Sequence, residues 1–249
     1  AMPPWEEAPD KPWEQRRMEV YAAQIDAMDQ GIGRIIDALQ RHDQLDNTLI
    51  IFLSDNGGCA EEILSPWADD FADRVSGGWT HATDGRPIQY GNDPAYMPGD
   101  ESTYQSYGVA WANLSNTPFR LYKHWTHEGG IATPFIVHWP DGLDARNELR
   151  HQPAQLTDVM ATIIDITGVD YPAEHAGQPV CPPEGSSLMP VLEDDSPRPD
   201  ATLFFEHEGN AAVRRGKWKL VRNFTAAVSG RNSFNEPGAR GDWELYDMD

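Results

Sequence analysis

Apolar residues return every three or four positions between Trp13 and Arg41: Met18, Tyr21, Ile25, Met28, Ile32, Ile35, Ile36 and Leu39. That spacing predicts one long amphipathic helix. A polar turn, HDQLDN, follows, and the pattern then changes to a continuous apolar run from Thr48 to Leu53. Apolar on both faces, this run predicts a strand in the middle of a parallel sheet covered by helices. A helix followed by a buried strand is half of a βαβ unit. The predicted fold class is therefore α/β: part of a mixed, mostly parallel sheet flanked by helices, followed by a small α+β subdomain.

TPFIVHWP (133–140) predicts a second buried strand. QLTDVMATIIDITGV (155–169) predicts a helix, with Leu156, Val159, Met160, Ile163, Ile164 and Thr167 on one face and Gly168 as its stop. EDDSPRPDA (193–201) has the composition of a linker. Beyond it TLFFEHE, AAVRRG, KWKLVRN and WELYDM alternate, predicting a small antiparallel sheet with tight turns at Gly209-Asn210 and Gly216-Lys217. The expected domains are 1–195, the α/β part, and 196–249, the antiparallel subdomain. Residues 64–117 break the pattern, being rich in Gly, Pro, Asp and aromatics without sustained period. A loop of that length in a compact domain is more often functional than decorative, unless it holds a short helix.

Composition narrows the partners. The 249 residues carry 40 acidic and 19 basic side chains, a formal charge of −21. Nucleic acid and anionic membrane both demand a basic footprint, and this balance argues against either as a partner. No stretch approaches a membrane span, and AMPPWEEAPDKPW has neither the basic nor the apolar region of a signal peptide. Cys59 and Cys181 are too few for a disulfide framework. Two cysteines cannot settle the compartment, and oligomeric state is unreadable.

The chemistry concentrates in two places. The apolar strand stops on Ser54-Asp55-Asn56-Gly57-Gly58. Ligands of open α/β sheets bind off the carboxyl ends of strands, where Asp55 and Asn56 would stand. A carboxylate and an amide carbonyl are hard oxygen donors, suited to calcium or magnesium rather than zinc. On local sequence alone, an ordinary Asx turn competes with this reading. Ser-Asp-Asn also occurs in serine β-lactamases, but Ser-x-x-Lys and Lys-Thr-Gly are both missing here. The second place is FRLYKHWTHEGG (119–130), where Lys123 is a point charge suited to an anionic oxygen. His124, His127 and Glu128 match no zinc-protease spacing, so loop packing is the preferred role for the histidines.

Taken in order, three stretches resemble the carboxyl-terminal half of a type I sulfatase, within the alkaline phosphatase superfamily. They are EVYAAQIDAMDQGIGRIIDALQRHDQLDNTLIIFLSDNGG, then TPFRLYKHWTHEGGIATPFIVHWP, then QLTDVMATIIDITGV leading to GSSLMPVL. EHEGNAAVRRGKWKLV with WELYDMD resembles that family's small C-terminal subdomain, and the likeness is strongest to bacterial arylsulfatases. The resemblance implies that Asp55 and Asn56 are calcium ligands whose partner aspartates lie upstream. It implies that Lys123 contacts the sulfate, and that Glu128-Gly129-Gly130 holds the lysine's loop. It also implies a formylglycine nucleophile, made from a Cys/Ser-x-Pro-x-Arg motif, whose hydrate attacks sulfur.

The chain departs from that pattern. It contains no Cys/Ser-x-Pro-x-Arg; Cys181-Pro182-Pro183-Glu184-Gly185 ends in Gly where Arg is required. Ala132 stands where many members carry Arg. The expected function is thus that of a fragment of a sulfuric ester hydrolase, inactive alone, acting on a small-molecule or saccharide sulfate ester. A phosphodiesterase or phosphonate monoester hydrolase of the same superfamily, or a non-catalytic binding module, are the alternatives. Substrate selectivity is expected from the 64–117 segment, with Trp79, His81, Tyr107, Trp111 and Asn113 as candidates.

Overall fold

The structure is a computed structural model that describes residues 4–64, 80–144, 146–198, 201–224 and 240–249. Helix α1 spans Lys11–Arg41, and Pro12 stands in its first turn where no backbone donor is needed. Arg41 closes the last turn, where a cation suits the helix dipole. Strand β1 (Ile50–Leu53) ends at the Ser54–Gly58 turn. The described part of the long segment predicted as loop, residues 80–117, contains regular elements. It holds β2 (Gln89–Tyr90) and β3 (Thr103–Tyr104), paired in parallel, and helix α2 (Gly108–Ser115).

A short helix α3 (Glu128–Ile131) leads into β4 (Phe135–His138), which pairs with β1. Next come α4 (Thr157–Thr167), the ribbon of β5 (Glu174–His175) with β6 (Gln178–Pro179), and α5 (Met189–Asp194). The chain closes with β7 (Thr202–His207), β8 (Asn210–Arg215), β9 (Trp218–Phe224) and β10 (Arg240–Asp247). These four form the expected antiparallel sheet, in order β10-β9-β8-β7. Its first turn is Glu208-Gly209 rather than Gly209-Asn210. His207 pairs with Asn210, which is fully buried, and both turn residues take positive φ. Two positive φ values match a type I′ turn, whose twist suits a hairpin.

The chain divides into two compact units, Ala1–Asp43 with Phe52–Ile136, and Gln44–Ile51 with Val137–Asp249. In the first, Trp13 and Arg17 are buried, but Ile25, Met28 and Ile35 on the apolar face of α1 stay 42%, 45% and 63% exposed. The strands depart from expectation in the same way: β1 is half-buried, and Phe135 and Ile136 of β4 are 40% and 58% exposed. The predicted burial fails because, among the described residues, this sheet has two strands and so no interior strand.

The second unit is organised around a carboxylate. Asp158, 2% exposed, accepts hydrogen bonds from the backbone N–H of Gln155 (2.9 Å) and Ser186 (2.8 Å). The Arg198 guanidinium grips it from a third segment at 2.9 and 3.2 Å. Burial alone would raise its pKa, yet Arg198 and the two backbone donors more than offset that and hold it below the ordinary carboxylate value. Asp158→Asn leaves Arg198 buried without its counter-charge and should destabilise this unit by about 3 kcal/mol, read by denaturant titration. Because the folded pKa is depressed, the stabilisation is present above the unfolded carboxylate value near pH 4. It is lost as pH falls through the folded value, so in acid the variant and the parent should converge.

Candidate active site

Every residue of the site lies in the first unit. Beyond β1, the 54–58 turn and the 119–132 loop interlock through their backbones. Gly57 N–H donates to the Gly130 carbonyl at 3.0 Å, and Lys123 N–H donates to the Gly58 carbonyl at 3.1 Å. The loop folds on itself as Gly129 N–H donates to the Arg120 carbonyl at 2.9 Å. Strand edges continue the seam, with Ser54 N–H on the Pro134 carbonyl and the Thr133 hydroxyl on the Ser54 carbonyl at 2.8 Å.

No side chain fits inside this seam. A Cβ on Gly57 would coincide with the Gly129 carbonyl oxygen, and one on Gly129 would strike the Leu121 carbonyl. Gly130 faces the Trp125 carbonyl, and Gly58 faces the Tyr107 hydroxyl. The glycines are thus required by close backbone approach. Asn116, at the end of α2, clips both pieces together: its Oδ1 accepts from Gly58 N–H at 3.0 Å, and its Nδ2 donates to the Leu121 carbonyl at 3.2 Å.

The interlock fixes the two sequence-predicted sites beside each other. Asp55 is exposed and Asn56 half-buried at the turn. Lys123 points its Nζ to Glu61 Oε1 at 3.4 Å and to Cys59 Sγ at 3.9 Å. Burial pulls the ammonium pKa down, but Cys59, Glu61 and Asp55 outweigh it and hold the pKa above its ordinary value. Lys123 is therefore a full cation at neutral pH. Burial pushes the Cys59 thiol up, despite a backbone hydrogen bond that opposes it, so this cysteine is protonated and a poor nucleophile.

Asp55 and Asn56 open onto a cleft of about 1470 Å³. One wall is α1, with Arg17, Val20 and Tyr21; another is the 98–107 segment, with Asp100, Glu101 and Tyr107. Tyr21 and Tyr107 stack with ring centroids 4.5 Å apart. The segment is anchored to α1 by Arg17, 6% exposed, which donates to the Ser106 carbonyl at 2.7 Å and pairs with Glu14 at 2.9 Å and Glu62 at 2.8 Å.

Of the described selectivity candidates, Tyr107 lines the cleft, and His81, Trp111 and Asn113 do not. Trp111 packs on α1, its indole N–H donating to the Glu14 carbonyl at 3.0 Å. Asn113 lies half-buried in α2, and exposed His81 bonds the Thr80 hydroxyl at 2.8 Å. Trp79 lies outside the described residues. His127 is buried at the start of α3, and His124 stacks edge-on against Trp125, centroids 5.2 Å apart. Arg17, Glu62 and Asn116 were missed by sequence reasoning. Only Arg17 left a trace, as a basic residue one helical turn after Trp13.

The family model described as Sulfatase matches residues 3–169. The chain belongs to the sulfatase family. This sulfatase chain is 29% identical to an uncharacterised sulfatase of Schizosaccharomyces pombe, over 98% of the chain and 40% of the relative. It is 31% identical to an arylsulfatase of Klebsiella aerogenes, over 70% of the chain and 34% of the relative. It is 26% identical to the mouse steryl-sulfatase, over 89% of the chain and 27% of that protein. The chain thus spans between about a quarter and two fifths of the length of these relatives. A solved structure from work on glycosaminoglycan metabolism by Bacteroides thetaiotaomicron shares the fold, with TM-score 0.52 at 20% identity. That match covers 89% of this chain and 37% of the other.

Substitution separates the seam's glycines from ordinary ones. Gly57→Ala sets a methyl against a backbone carbonyl and should cost about 3 kcal/mol or more. Gly33→Ala, in the exposed middle of α1 with nothing near its Cβ position, should stabilise by about 0.5–1 kcal/mol. Thermal melts of both variants beside the parent protein check the pair.

Proposed function

We propose that the intact protein hydrolyses sulfate esters, and that this chain supplies a metal-binding turn and a sulfate-binding lysine. The observation that carries the reading is the glycine interlock, which sets Asp55 and Asn56 on a cleft and joins their turn to the Lys123 loop, with the Lys123 ammonium beside the cleft residue Cys59, in a sulfatase-family chain. Asp55 offers an exposed carboxylate and Asn56 a carbonyl, a donor pair that fits calcium and leaves its remaining coordination positions to other residues. Calcium, when bound there, supplies positive charge to the oxygens of a sulfate group.

The chain's own residues have separable tasks. Lys123 presents a charged donor to a sulfate oxygen, where charge builds as the ester bond breaks. Its backbone N–H, engaged by Gly58, keeps the side chain from drifting relative to the metal-binding turn. Tyr21 and Tyr107 offer a flat wall to the alcohol portion of the ester. The nucleophile this reading requires, a formylglycine, would come from outside these 249 residues, none of which forms Cys/Ser-x-Pro-x-Arg. This chain alone should accordingly show no turnover.

In the intact protein, Asp55→Ala should lower kcat/KM on an aryl sulfate by about 100-fold or more and weaken calcium binding measured by calorimetry. Lys123→Ala should cost about 100-fold in kcat/KM while leaving calcium affinity nearly intact. Unchanged turnover in either variant would sink the assignment. Faster cleavage of the matched aryl phosphate would redirect it to phosphate ester chemistry.

A further inference from the structure

The charges along the cleft are unevenly matched. Arg17 lines the cleft, Arg86 stands behind the lining residue Asp100, and each arginine is held by two carboxylates. Arg17 pairs with Glu14 and Glu62. Arg86 pairs with Asp84 at 2.6 Å and with Asp100 at 2.9 Å. Each trio keeps one negative charge after pairing. The Arg86 hydrogen bond, aided by Ser102, holds the Asp100 carboxyl down to about 2, so that acid stays ionised throughout the neutral range. Glu101, exposed beside it, is bonded by the Thr83 hydroxyl at 2.7 and 2.8 Å, which leaves its charge uncancelled.

Neither arginine is available to a substrate anion, because each is already saturated by carboxylates. Lys123, itself paired with Glu61, can serve one sulfate. A second anionic group on the substrate would then meet Asp100 and Glu101, while Arg17, the cation among the described lining residues, is already paired. Like charges placed together discriminate by repulsion, and the penalty is largest in low salt. The neutral surface on offer is the Tyr21–Tyr107 stack, which suits a planar or ring-shaped uncharged group.

We propose that this wall restricts the enzyme to esters bearing a single sulfate on an uncharged ring-containing alcohol, and works against substrates carrying a second sulfate or a carboxylate. The inference rests on the sulfatase reading above and deepens it.

The test compares, in the intact protein, an aryl monosulfate with the same ring bearing a second sulfate. The expected kcat/KM is at least about tenfold lower for the disulfate at low ionic strength, with the gap closing as salt shortens the Debye length below about 10 Å. Glu101→Lys should shrink the ratio severalfold in favour of the disulfate. A disulfate cleaved as well as the monosulfate, at low salt and in both proteins, overturns this inference and leaves the sulfatase reading standing. A ratio that Glu101→Lys and salt both fail to move also overturns it. Absence of turnover on every sulfate ester overturns the underlying reading and this inference with it.

Discussion

Two loops can present their side chains to a common point only if their backbones approach as closely as van der Waals radii allow. Gly57 removes the Cβ that would hold the turn after β1 away from the Lys123 loop, Gly129 and Gly130 let that loop fold tightly on itself, and Gly58 clears the Tyr107 hydroxyl. The reward is a set of backbone hydrogen bonds that needs no side chain to hold it, with Asn116 as a single polar clip. Asp55, Asn56 and Lys123 then stand on main chain that is hydrogen-bonded on both sides, which is how a site acquires sub-ångström placement without rigid secondary structure beneath it.

Around that seam the structure spends its buried polar groups on anchoring. Arg17 reaches from α1 to Glu62, Glu14 and the Ser106 carbonyl, and so ties the 98–107 segment to α1 as a wall. Gly108 takes positive φ where any Cβ would collide with Glu62 and Arg17. The same residues that order the segment also consume its positive charge, so anchoring and electrostatic character are set together.

How much of this the sequence disclosed follows from the range of the interactions. Helix α1 was legible because its period persists over 31 residues. Helix α4 was legible too, from its apolar face and the Gly168 stop, which takes a left-handed φ. Helix α2 was hidden, since GVAWANLS is apolar all round and has no period to read. Strand existence was legible but strand burial was not, because burial depends on neighbours that a local pattern cannot name. Asp55 and Asn56 stood out at the end of an apolar run. Arg17 and Asn116 act through partners 45 and 58 residues away along the chain, and local sequence carries no signal of such contacts.

The Asp158 clamp has a consequence for how this chain can change. It pins Ser186 to the start of α4 across 28 residues of sequence, and the stretch between α4 and Ser186 is thereby a loop with fixed ends, carrying the exposed β5–β6 ribbon. Once the ends are fixed, contour length matters little, since doubling such a loop costs only about 0.6 kcal/mol in closure entropy. Insertions and deletions can therefore accumulate between Gly168 and Gly185 without reaching the clamp. The ribbon is the natural place for lineages of this protein to diverge in length, and for an engineer to splice in a tag or a second domain.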